Sequence, residues 1–153
     1  MAPTTSTPTP VALITGASSG IGLAAALALL EKGWAVYGGA RRVDRMQAIT
    51  DAGGTALGLD VTDDASMTAA LERIVAERGR IDVLVNNAAH QMTFETLEDI
   101  PYEEWERTFA TNIHAMFYLA KAALPHMAEG SSIINSASIN SDQPNPTLLP
   151  YAT

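Results

Sequence analysis

The chemistry this chain could do starts from three glycines and a knot of arginines. The stretch "TGASSGIG" (15–22) places Gly16, Gly20 and Gly22 at G-x-x-x-G-x-G spacing, with Ser18, Ser19 and Ile21 between them. Glycine lets the backbone turn tightly and admits a bulky anion with no Cβ in its path. If a helix follows, its first free N–H groups and positive dipole end face that anion. Such a turn suits a pyrophosphate, although taken alone it is also an ordinary tight strand-to-helix connection. Further on, "GGARRVDR" (38–45) holds Arg41, Arg42 and Arg45 within five positions, with no acid before Asp44. Arginines just ahead of a helix oppose its dipole by roughly 0.3–1 kcal/mol each. A phosphate would relieve that conflict through bidentate hydrogen bonds; a solvated arginine cluster is the plainer alternative.

The elements that must position these groups alternate along the chain. "VALIT" (11–15) reads as a strand and 20–33 as a helix closed by Gly33. Strands at 34–38 and 55–61 flank a short helix over 43–54. A helix over 62–79 is capped by Asp63 or Asp64, and "IDVLVNN" (81–87) is the fourth strand. Residues 101–127 form a long helix begun by Pro101 and an acidic first turn. "SIINSAS" (132–138) is a fifth strand, and the rest, with Pro144, Pro146 and Pro150, reads as loop. Strict β–α alternation implies a parallel sheet with helices on both faces. The glycine turn sits at the first strand–helix junction of that pattern, where it favours nucleotide binding.

With these pieces in place, the chain resembles the N-terminal part of a classical short-chain dehydrogenase/reductase, from about residue 10 to residue 153. "TGASSGIG" is similar to that family's cofactor motif, "NNAA" (86–89) to its strand-four signature and "SAS" (136–138) to its catalytic-serine strand. "PYAT" (150–153) is similar to the start of its Tyr-x-x-x-Lys motif. The resemblance implies an α/β fold, a Rossmann-like doubly wound parallel sheet ending here after the fifth strand. It implies an oxidoreductase that interconverts a carbonyl and an alcohol by hydride transfer. Gly16, Ser18, Ser19, Gly20, Ile21 and Gly22 would hold the dinucleotide phosphates. A ribose 2′-hydroxyl is held by an acid at the end of the second strand and a 2′-phosphate by a cation. Arg41 and Arg42 therefore favour NADP over NAD. Asp60 and Val61 would flank the adenine, with capping as the alternative for Asp60, and Asn86 and Ala88 would line the cofactor. Tyr151 would be the acid/base, Ser138 would polarise the carbonyl oxygen, and Asn112 would anchor a water-linked proton relay. Taken singly, each of these three fits an ordinary turn or surface residue. The family has glycine where this chain has Ala89; if that position needs a positive φ, alanine costs about 1–2 kcal/mol.

Bulk properties narrow the classes. The 153 residues match one domain, and 17 acidic against nine basic residues give a formal charge of −8. That balance argues against nucleic-acid and anionic-membrane partners, which need a basic footprint. The absence of cysteine excludes a disulfide framework and a thiolate zinc site, and fits a cytoplasmic location. His90, His114 and His126 have no metal-ligand spacing. Residues 1–10, "MAPTTSTPTP", read as a disordered tail, and 11–153 as an incomplete NAD(P)-binding Rossmann domain.

The family brings its tyrosine, a phenol of ordinary pKa about 10, toward 7, which takes roughly 4 kcal/mol. It does so with a lysine four residues on, at what would be position 155. The 153-residue chain is therefore expected to be inactive by itself. A non-catalytic nucleotide-binding pseudoenzyme and a functionless gene fragment are the rival classes. "FATNIHAMFYLAKAALPHM" (109–127) is apolar on most faces and expects burial on several sides. The resemblance implies a homo-oligomer through helix 101–127, and the fifth strand is expected to be an open edge. The substrate would be a small carbonyl or alcohol. "INSDQPNPTLLP" (139–150) resembles the sugar or polyol branch of the family, and the N-terminal half resembles its NADP-linked ketone reductases.

Overall fold

A computed structural model describes residues 8–153. The tail expected over 1–10 lies mostly outside the described residues. Five strands form one parallel sheet: β1 (Val11–Thr15), β2 (Ala35–Ala40), β3 (Thr55–Gly58), β4 (Val83–Asn86) and β5 (Ser132–Asn135), in the order β3-β2-β1-β4-β5. This is the doubly wound Rossmann-like arrangement expected, with the strand order reversing between β1 and β4. Ligands of such sheets bind at that switch point, beyond the carboxyl ends of the strands.

The helices divide between the two faces. On one face, α1 (Gly20–Glu31) and α2 (Gln47–Asp51) cover Ile14, Val36 and Ala40 with Ala26 and Ile49. On the other, α3 (Asp64–Arg78) and α5 (Ala115–Ala123) cover Val11, Leu13, Tyr37 and Leu84 with Leu71, Ile74, Ala115 and Leu119. The period-two alternation of β1 assigns Val11 and Leu13 to one layer and Ile14 to the other. Burying the valine, leucine and isoleucine side chains among these, each contributing about 1.5–3 kcal/mol, holds the two layers onto the sheet. Asp63 caps α3 through a 3.0 Å bond from the Ala65 N–H, which resolves the choice left open between Asp63 and Asp64.

Three elements differ in kind from the sequence reading, and β3 and β5 each end three residues earlier than the strands expected over 55–61 and 132–138. The long helix runs as α4 (Tyr102–Phe109), a π turn (Ala110–His114) and α5, then a 3-10 turn at Leu124–His126. The short helix after β2 opens as a 3-10 turn (Val43–Met46) before α2. The terminal stretch is not all loop: 3-10 turns at Ile139–Ser141 and Pro146–Leu148 lead into a single helical turn, α6 (Leu149–Ala152), with Pro150 in its first turn. Proline belongs there because its missing N–H has no intrahelical partner at that position.

Candidate functional site

Two cavities open at the carboxyl ends of the strands and meet at Ala88 and Ala89. The first, about 270 Å³, is lined by Gly16, Ser18 and Ser19 from the glycine turn and by Arg41 and Arg42 after β2. Asp60, Val61 and Thr62 after β3, with Asn87 and Ala88 after β4, complete it together with Thr111. The glycine turn is tight. Gly16 has φ +68°, and a Cβ there would sit 2.9 Å from the Ala88 Cα. A Cβ on Gly22 would meet the Gly16 carbonyl oxygen at 2.5 Å. Ser19, the N-cap of α1, makes no side-chain bond to the helix, so it leaves the first-turn amides uncapped. That is the donor set a phosphate needs. Gly20, Ile21 and Gly22 do not line this cavity themselves; Ile21 is exposed and Gly22 is buried in the turn.

The cations stand across from that turn. The Arg42 guanidinium donates to Ser18 Oγ at 3.4 Å, tying the end of β2 to the glycine turn. Asp60 accepts from the Thr62 N–H at 3.0 Å and from Thr62 Oγ1 at 2.7 Å. Burial pushes the Asp60 carboxyl up, but those two bonds and the charges of Arg41 and Arg107 outweigh it and hold it below 3.8. The Asp60 side chain thus closes a local turn onto Thr62, two residues on, while Asp63 caps α3; Asp60 still lines the cavity.

At the end of β4 the lining position expected of Asn86 is held by Asn87. Asn86 is buried against β5, donating to Asn135 Oδ1 at 2.8 Å, and lines neither cavity. Asn87 takes the lining position instead, its amide donating to the Thr15 carbonyl at 3.1 Å. Thr15 Oγ1 accepts from both Asn87 N and Ala88 N at 2.9 Å, clamping β4 to β1. No non-glycine residue among those described has a positive φ, so Ala89 carries no backbone strain.

The second cavity, about 250 Å³, gathers Asn112, Ser138 and Tyr151, with Ile113, Met116, Asn135, Ser136 and Ser141. The first three are distant in the chain, and the fold brings them to one cavity. Asn112 sits in the π turn. Its amide brackets His90, accepting from the N–H and donating to the carbonyl at 2.8 Å each. His90 also pairs through its ring with Glu104 of α4. Ser138 caps the turn Ile139–Ser141, and Tyr151 lies in α6. Thr62, Asn87 and Thr111, which line the first cavity, were missed in the sequence. Only Asn87 left a signal there, as the second member of the asparagine pair.

Comparisons with known proteins identify the family and match the fold. The family model described as short chain dehydrogenase matches residues 10–153. General stress protein 39 of Bacillus subtilis (strain 168) is 39% identical over 154 residues, spanning 92% of this chain and 52% of its own length. NADPH-dependent aldehyde reductase 1, chloroplastic, of Arabidopsis thaliana is 38% identical over 154 residues, spanning 92% and 54%. The crystal structure of 3-ketoacyl-(acyl-carrier-protein) reductase from Brucella melitensis complexed with NADH superposes with a TM-score of 0.87 at 29% identity. That match covers 95% of this chain and 64% of the other. The chain spans about half the length of the curated relatives it matches.

Proposed function

Because the chain belongs to the short-chain dehydrogenase family, we propose that it carries the cofactor site and part of the reacting site of an NADP-linked carbonyl/alcohol oxidoreductase. One observation carries the cofactor choice: β2 runs straight into Arg41 and Arg42, with Arg42 bonded to Ser18 of the glycine turn and no acidic residue at the strand end before Asp44. A 2′-phosphate there would accept from both guanidinium groups and offset their conflict with the turn that follows. The uncapped amides of α1 would hold the pyrophosphate, and Asp60 and Val61 would border the adenine. The relative named for NADPH dependence supports this choice, while the NADH in the solved neighbour keeps NAD as the competitor to test.

A dinucleotide held by the glycine turn and the two arginines would supply the hydride chemistry at the substrate carbon. The chain's own groups do the rest. Ser138 donates a hydrogen bond to the carbonyl oxygen, stabilising its growing charge. Tyr151 passes the proton to that oxygen or removes it. Asn112 supports the proton relay by holding the loop at His90. A polypeptide of residues 1–153 carries the groups assigned to the dinucleotide, so its binding can be measured apart from turnover. The substrate is a small carbonyl compound or alcohol.

Titrating the 1–153 polypeptide with NADPH and NADH tests the proposal. NADPH quenches the fluorescence of Trp34 or Trp105 saturably, and NADH binds at least tenfold more weakly. A folded polypeptide with no saturable response to either cofactor would overturn it.

A further inference from the structure

The Ser138 hydroxyl is held by a partner the reaction scheme does not use. A serine oxygen has two acceptor lone pairs and one proton to donate. Ser138 Oγ accepts from the main-chain N–H of Asn140 and from Asn140 Nδ2, each at 3.2 Å. Both partners can only donate, so both lone pairs are taken. Among the described residues Ser138 Oγ donates to no protein group, and its proton is left to point into the cavity it lines with Tyr151. The Asn140 amide is itself oriented: its Oδ1 accepts from the Asn145 N–H at 3.3 Å, which fixes Nδ2 toward the serine. Asn145 in turn accepts from Thr147 N and Thr147 Oγ1 at 3.0 Å each. It thereby starts the turn Pro146–Leu148 that runs into α6 and Tyr151.

We propose that Asn140 is a positioning residue that makes Ser138 an obligate donor toward the bound carbonyl and ties it to the segment carrying Tyr151. Asn140 lines neither cavity and acts only through its neighbours. The inference rests on the reading that Ser138 faces the carbonyl oxygen, and the experiment separates the two. The 1–153 polypeptide, saturated with NADP⁺, is mixed with cyclohexanone, and the infrared carbonyl stretch of the bound ketone is recorded. The stretch is red-shifted in the unaltered polypeptide, and the part of the shift due to the serine is lost in Ser138→Ala, where only Tyr151 can donate. In Asn140→Asp, nearly identical in shape, a carboxylate replaces the amide donor and captures the serine proton, and the same part of the shift is lost. Ketone affinity falls roughly three- to tenfold, the loss of one net hydrogen bond. A shift lost in Ser138→Ala but retained in Asn140→Asp overturns this inference alone. A shift absent from the unaltered polypeptide overturns the serine's role and this inference with it, whatever the NADPH titration shows. Should Asn140→Asp fail to fold, Asn140→Ala decides: it loses part of the shift, and full retention overturns the proposal.

Discussion

Gly22 has ordinary helical backbone, and its requirement for glycine is one of space. A methyl group there would lie 2.5 Å from the Gly16 carbonyl oxygen and 2.6 Å from Asn87 Nδ2. Gly22→Ala must therefore push apart the glycine turn and the end of β4, at about 1–3 kcal/mol. Urea unfolding should show that loss, with NADPH binding weakened beyond what the unfolded fraction explains. Arg42 acts differently, because it is exposed and its contact with Ser18 Oγ is a long one. Arg42→Ala should leave the unfolding midpoint nearly unchanged. It should weaken NADPH by about 10–100-fold, the 1.5–3 kcal/mol of a hydrogen bond to a charged group, and leave NADH within a factor of two. Equal losses for both cofactors would show that Arg42 does not read the 2′-phosphate. At this scale the sequence was readable where chemistry needs a residue type, as with the glycines and arginines. It was ambiguous where the answer turns on which face a residue takes. Asn86 and Asn87 are adjacent, and successive strand residues point to opposite sides, so a one-residue slip exchanges the buried bond to Asn135 with the cavity wall.

The alternation of strands and helices made the order of elements legible, because hydrophobic period and glycine punctuation are local signals. The π turn Ala110–His114 was not legible: one extra residue per turn leaves the apolar pattern of 109–127 nearly intact. What the turn does is present Asn112 to His90 in the loop after β4, two bonds at 2.8 Å between elements that no local pattern relates. Asn112→Ala should cost about 1–3 kcal/mol in urea unfolding, since both His90 main-chain groups lose their partner. A loss below a few tenths would mean that water replaces the amide freely. The segment after β3 carries a pH signature. The Asp60 carboxyl is held below 3.8 in the fold, so it contributes stability above that value. The contribution disappears as pH falls through the lowered value. Thr62→Val removes the hydroxyl bond, and the acid limb of the stability profile below about pH 4 should become shallower while stability near pH 7 falls slightly. An unchanged acid limb would show that the Thr62 main-chain N–H and the charges of Arg41 and Arg107, rather than the Thr62 hydroxyl, hold Asp60 down.

Across the whole molecule, the apolar surface is unevenly covered. The inner faces of the helices and sheet are closed, yet Phe117 and Leu124 are each 62% exposed along α5 and the turn after it. All four residues of β5, at one edge of the sheet, are exposed, with Ile134 at 51%. An unpaired edge strand beside an uncovered apolar helix face is a template for association. Opposing it is the formal charge of −8, which repels a second copy at low salt. The two effects respond oppositely to ionic strength, since screening weakens repulsion and leaves apolar burial in place. The 1–153 polypeptide should therefore sediment as an associating species whose average mass rises with concentration and with added sodium chloride. Phe117→Glu combined with Leu124→Glu places charge on the uncovered face, and should return the polypeptide toward monomer. NADPH affinity should stay within a factor of two, because neither residue lines a cavity at the strand ends. If the doubly substituted polypeptide associates as before, the face is not the contact. Ile134→Lys on β5 then decides whether the sheet edge is.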